Sequence, residues 1–136
     1  MKKILWLLFI LILPLPLNFG GQDKYPRIYF RSPVGFPITL SGSFGDVRPN
    51  HFHSGIDIRT NGEQGKPVYA AADGYIARIF VSPFGFGKAL YINHPNGYTT
   101  VYGHLRNFNA AIGSWTRNVQ YTKESFAIDV PVIPAN

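Results

Sequence analysis

The chain has 136 residues, 46% of them hydrophobic and 15% aromatic, with 14 glycines and 11 prolines; this suits one small, turn-rich β domain and excludes a second. Cysteine is absent, which excludes disulfides, thiolate metal ligands, a thiol nucleophile and a cysteine-borne lipid anchor. The formal charge of +6 includes Lys2 and Lys3; without them 11 basic residues stand against 7 acidic ones, scattered along the chain rather than clustered as a nucleic-acid footprint.

The first twenty residues read as a separate object. A basic "MKK" precedes the apolar run "ILWLLFILIL", which ends at Pro14 and Pro16. A membrane-spanning helix needs about 20 apolar residues, so this shorter run predicts an export signal over residues 1–20, cleaved or retained as an anchor. No A-x-A marks a cleavage site, and only Gly20-Gly21 offers a small pair. The domain at 21–136 is then expected in the periplasm or cell envelope, or outside the cell. It has no stable membrane span once the signal is removed. Export argues against nucleic acid and suits an anionic polymer such as cell wall.

Prolines at 26, 33 and 37 favour extended edges and turns. "FPITLSGSFG" predicts a short strand running into a Gly/Ser turn. "KPVYAAADGYIARIF" reads as two strands joined at Asp73-Gly74, and "GFGKALYINHPNGYTTVYGHL" as a second pair joined at Asn96-Gly97. The period then changes: Phe108, Ile112, Trp115 and Val119 fall on one helical face, with Asn107 or Asn109 as the cap. Gly113 weakens that helix by about 1 kcal/mol, so it must lean on the sheet. "SFAIDVPVIP" begins another strand. The expected fold is mainly β, a small antiparallel sheet domain of two hairpins plus one short helix near the C-terminus.

Chemistry concentrates in "HFHSGIDIRT". Zinc holds imidazole nitrogen and carboxylate oxygen at about 2.0–2.2 Å. Residues four apart on a straight strand are separated by roughly 13 Å, too far for His53 and Asp57 to share an ion. Gly55 between them can take a positive φ and bend the chain so that the side chains meet. A metal pair and a plain hydrogen-bonded pair both remain open at this point. His51 follows Pro49-Asn50 and reads as a loop residue. His94 precedes a turn and has no expected chemical role. In "TTVYGHL", alternation places Tyr98, Thr100, Tyr102 and His104 on one hydroxyl-rich face, where His104 could serve as a general base or hydrogen-bond donor. No G-x-S-x-G elbow, phosphate loop or dinucleotide fingerprint is present, and Glu63, Asp73, Glu124 and Asp129 are dispersed.

Taken together, "SGSFGDVRPNHFHSGIDIRT", "GKPVYAAADGYIARI" and "GFGKALYINHPNGYTTVYGHL" resemble the lysostaphin/LytM-type zinc metallopeptidases, which cut peptide crosslinks or stems of bacterial peptidoglycan. The resemblance runs from about Ile38 to Leu105. It implies a small antiparallel β fold with a groove, peptidoglycan as partner, and one Zn2+ site with His53 and Asp57 as ligands. It further implies that His104 is an active-site histidine beside the metal, in a hydrolysis where the metal acts as Lewis acid. The family takes its third ligand from a later H-x-H segment, and no histidine follows His104 here. Catalytic zinc generally uses three protein ligands. The expectation is therefore a domain incomplete at its C-terminal end, inactive or impaired as a zinc metalloendopeptidase. The alternative is a degenerate, non-catalytic domain that binds wall or regulates a hydrolase.

Overall fold

The computed structural model describes residues 28–132; the export signal expected at 1–20 lies outside the described residues. Two antiparallel sheets form. The smaller pairs β1 (Leu40–Gly42) with β2 (Asp57–Ile58). The larger contains β3 (Tyr75–Val81), β4 (Lys88–Asn93), β5 (Thr99–Tyr102) and β6 (Ile128–Pro131), in the order β5-β4-β3-β6. One helix, α1 (Ala110–Thr122), connects β5 to β6. Among the described residues, the mainly β architecture with a single short helix near the C-terminus is the one the sequence predicts.

Turn chemistry explains where the strands reverse. The Asn96-Gly97 turn forms as expected, as a three-residue loop. His94 and Tyr98 pair across it (N···O 2.9 Å), Gly97 donates to His94 O, and only Gly97 takes a positive φ, of 83°. The other expected hairpin, at Asp73-Gly74, does not form. A tight two-residue turn needs positive φ at its first central residue (type II′) or at both (type I′), and neither Asp73 nor Gly74 has it. Gly74 is instead required by close approach, because a methyl there would collide with the Asn93 carbonyl. Residues 66–72 form no strand; Tyr69 N–H donates to Pro33 O and Arg31 N–H to Ala71 O, each at 2.8 Å. β3 pairs with β4 on one side and β6 on the other, leaving no edge for that stretch. The β3–β4 reversal lies at 82–87, where Gly85 and Gly87 supply left-handed backbone.

Helix α1 starts at Asn109, whose side-chain oxygen accepts from Ile112 N at 2.9 Å, one of the two caps expected. Its predicted face is only partly covered. Phe108, Ile112 and Val119 are half-buried, Trp115 is exposed, and Thr116 is the buried residue of the helix. Among the described residues the core is small: Ala71, Ile79, Val81, Ala89 and Ile128 are buried, and no large side chain is fully enclosed.

With so little apolar burial, polar clamps carry weight. Arg78 makes a two-armed contact to Asp129 (Nε–Oδ1 and Nη2–Oδ2, both 2.6 Å) that ties β6 to β3. Its guanidinium also lies 4.7 Å from the Tyr91 ring centroid and 5.5 Å from that of Phe80. The Arg78 hydrogen bonds hold the Asp129 carboxyl below its ordinary value of 3.8, outweighing desolvation, and the Arg78 charge adds to them. A carboxyl depressed in the folded state stabilises above its unfolded value and loses that stabilisation as pH falls through the folded one. The pair is half-exposed, so we expect less than about 1 kcal/mol. Thermal melts of wild type and Asp129→Asn should differ at neutral pH and converge as pH falls below 3.8. A difference constant with pH would contradict this assignment.

Candidate metal centre

Between β1 and β2 the chain folds back into a smaller hairpin that carries the candidate pair. Asp46 Oδ2 accepts the Ser43 amide at 2.6 Å, and Gly45 takes φ 84° to complete the turn. Gly45 N–H donates to His53 O (2.7 Å) and His53 N–H to Asp46 O (2.8 Å), while Val47 bridges Phe52 and Arg48 N–H donates to the His51 carbonyl. His51 is thus an exposed loop residue, as read from the sequence. Strand pairing sets Gly42 opposite Asp57 and Leu40 opposite Ile58, with an irregularity between them.

This frame brings His53 and Asp57 together. His53 Nε2 stands 3.2 Å from Asp57 Oδ1. The chain bends at Gly55 as expected, yet Gly55 does not take a positive φ. Convergence comes from β1–β2 pairing and the hairpin at 45–53, not from glycine's access to left-handed backbone. A methyl at Gly55 would make only ordinary contact, 3.9 Å from His53 Nε2.

Hydrogen bonding fixes the state of the imidazole. His53 Nδ1 lies 2.9 Å from the Ser43 carbonyl, which can only accept, so Nδ1 carries the proton. In the neutral ring Nε2 then presents a lone pair toward a carboxylate oxygen, another acceptor. Two acceptors facing each other at 3.2 Å call for a proton or a cation between them. A histidine whose second nitrogen is tied to a carbonyl is the usual arrangement of a metal-holding imidazole. Two ligand atoms on a tetrahedral zinc are about 3.4 Å apart, so donor types and spacing both fit.

The other oxygen of Asp57 is engaged. Arg48 Nη2 contacts Asp57 Oδ2 at 2.6 Å. Arg48 lies within the "SGSFGDVRPNHFHSGIDIRT" stretch with no role legible there; its spacing from Asp57 is uninformative until the hairpin forms. Gly42 was likewise missed. A methyl there would overlap Asp57 Oδ2 and approach Arg48 Nη2 to 2.6 Å.

Among the described residues, no group of three or more His, Cys, Asp or Glu side chains is placed to hold a metal ion. Neither His51 nor His104 completes the set. His104 is exposed, just past β5 at φ 54°, its amide donating to Phe86 O (2.8 Å) and its ring edge-on to Phe86 (centroids 6.5 Å). The hydroxyl-rich face before it is occupied. Tyr102 Oη accepts the Ala71 amide (2.8 Å), the Thr100 and Tyr102 hydroxyls share a hydrogen bond (3.0 Å), and Thr100 Oγ1 meets His94 Nε2 (2.9 Å). His94 Nδ1 closes the chain on Asp73 O at 2.8 Å. His94 is buried against Phe30 and serves the fold.

The chain is similar to several known proteins. Peptidase family M23 matches residues 51–120, just over half of the chain. Similar proteins include "DD-carboxypeptidase/endopeptidase Mpg" of Neisseria meningitidis serogroup B, 37% identical over 100 residues (70% of this chain, 21% of that protein). An "uncharacterized metalloprotease" of Haemophilus influenzae is 38% identical over 69 residues, covering 51% of this chain and 12% of its own length. "Cell division protein DipM" of Caulobacter vibrioides is 36% identical over 70 residues, covering 52% and 11%. The chain therefore spans about a fifth of the length of the Neisseria relative. No solved structure matches it.

The hydroxyl chain generates its own prediction. Tyr102→Phe leaves the Ala71 amide without its partner and should cost about 1–3 kcal/mol in denaturant unfolding. The affinity measured for any metal titrated onto the chain should be unchanged, since none of these groups touches His53 or Asp57. A loss of that affinity without a loss of stability would contradict the division between the two networks.

Proposed function

The chain belongs to peptidase family M23, and on that premise we propose a metal-dependent peptidase domain whose centre is His53 and Asp57, with zinc as the metal and peptidoglycan peptides as the substrate. The observation that carries the reading is the His53 Nε2–Asp57 Oδ1 approach of 3.2 Å with Nδ1 committed to the Ser43 carbonyl. Relatives named as a DD-carboxypeptidase/endopeptidase, a metalloprotease and a cell division protein fit a metal centre and a wall substrate.

Zinc held there would supply a Lewis acid that polarises a peptide carbonyl and makes water nucleophilic at neutral pH. The chain's own residues do the rest. The Ser43 carbonyl keeps the His53 lone pair on Nε2, and Asp57 adds negative charge through Oδ1. We assign His104 the handling of the proton that leaves the attacking water. The Y-G-H-L sequence at 102–105 and the exposed position of His104 at the end of β5 support that role. The described residues offer two rather than the usual three protein ligands. The chain alone should therefore hold zinc weakly and turn over slowly or not at all. That same shortfall favours a second reading, a non-catalytic domain that binds wall or regulates a hydrolase. Residues 1–20 would export the domain at 21–136 to the envelope or beyond; among the described residues no helix is long and apolar enough to cross a membrane.

Calorimetric titration with zinc tests the centre. One-to-one binding is expected for the wild type and none for His53→Ala or Asp57→Ala; binding unchanged in both variants would move the site elsewhere. Incubation with purified sacculi separates the two readings. Soluble peptide released only with zinc present marks a hydrolase, whereas retention without release marks a binding domain.

A further inference from the structure

We propose that Arg48, seated over Gly42, is a positioning residue that reserves Asp57 for ligation through one oxygen, Oδ1. The inference rests on the metal centre proposed above and goes beyond it by saying how the carboxylate is held.

Three observations converge. Arg48 Nη2 contacts Asp57 Oδ2 at 2.6 Å, while Oδ1 faces His53 Nε2 at 3.2 Å, so the two oxygens have separate duties. Gly42 sits opposite Asp57 in the β1–β2 register, and the volume its side chain would fill is taken by Asp57 Oδ2 and Arg48 Nη2. Arg48 itself is fixed at its backbone, since its amide donates to His51 O in the hairpin that also holds His53. Guanidinium, carboxylate and imidazole thus hang on one small frame, and Gly42 is the clearance that lets the first two meet.

Electrostatics alone predicts the opposite of positioning. A cation beside the centre repels a divalent ion, so losing Arg48 as a mere charge would tighten metal binding. Losing it as a positioning group frees Oδ2, lets the carboxylate rotate or bind through both oxygens, and weakens the site. Partners that orient a metal ligand are typically worth 10–100-fold in metal affinity. The sign of the change therefore separates the two roles.

The test titrates the full chain with zinc and with cobalt, comparing wild type with Arg48→Met, Arg48→Lys and Gly42→Ala, each checked for folding by circular dichroism. Arg48→Met should weaken both metals about 10–100-fold and alter the visible cobalt bands. Arg48→Lys keeps one donor and the charge, and should fall between Arg48→Met and wild type. Gly42→Ala, which crowds the clamp while leaving Arg48 in place, should resemble Arg48→Met. Unchanged or tighter binding with an unchanged cobalt spectrum in Arg48→Met overturns the proposal while leaving the centre intact. If Arg48→Met does not fold, Arg48→Lys decides by the same criteria, because a methyl at Gly42 would also displace Asp57 directly. A wild type that binds neither metal removes the centre itself and the clamp with it.

Discussion

The structure around the candidate centre depends on how one carboxylate is divided. Asp57 gives Oδ2 to Arg48 and turns Oδ1 toward His53. An isolated aspartate rotates freely between such uses, so the division has to be imposed from outside. Here the imposition is steric as much as electrostatic: a glycine opposite Asp57 clears the volume, and the guanidinium fills it. The strand pair that creates this arrangement is very short, three residues against two. Its order comes from cross-strand and hairpin hydrogen bonds rather than from burial, since Leu40 and Ile56 beside it are exposed.

That dependence on hydrogen bonds extends to the larger sheet. Among the described residues, five buried apolar side chains, two of them alanines, cannot supply the area that usually fixes a sheet and its loops. Polar clamps take over part of the task. Arg78 and Asp129 tie β6 to β3, and the chain from the Ala71 amide through Tyr102, Thr100 and His94 to the Asp73 carbonyl ties the 71–73 segment to β4 and β5. Such clamps are directional, so they hold positions even where packing is loose. The cost is sensitivity: removing one member leaves its partners unpaired.

Much of this was legible in the sequence, for identifiable reasons. The period-3.6 apolar face from Phe108 to Val119, with Asn109 ahead of it, marked α1 because helix and cap are both local signals. Asn96-Gly97 marked a turn for the same reason. Asp73-Gly74 misled because its glycine answers to a neighbour nineteen residues away, the Asn93 carbonyl, and not to its own backbone torsion. The approach of His53 to Asp57 was anticipated, while its cause was misplaced onto Gly55, since the pairing of β1 with β2 is long-range. Arg48 and Gly42 carried no local signal at all. Both acquire meaning only when residues nine and fifteen positions before Asp57 fold back against it.

The two inward histidines show what distinguishes a structural imidazole from the one proposed to hold a metal. His53 and His94 each present Nδ1 to a backbone carbonyl, at 2.9 and 2.8 Å, so both rings carry the same proton. Sequence context and tautomer therefore do not separate them. The second nitrogen does. His94 Nε2 meets the Thr100 hydroxyl, which can donate, and the ring is buried and satisfied as a neutral group. His53 Nε2 meets a carboxylate oxygen, which cannot donate, at the rim of an open hairpin. One imidazole is closed by its neighbours, and the other needs a cation or a proton to be closed. The metal centre proposed for this domain rests on that difference of one facing group.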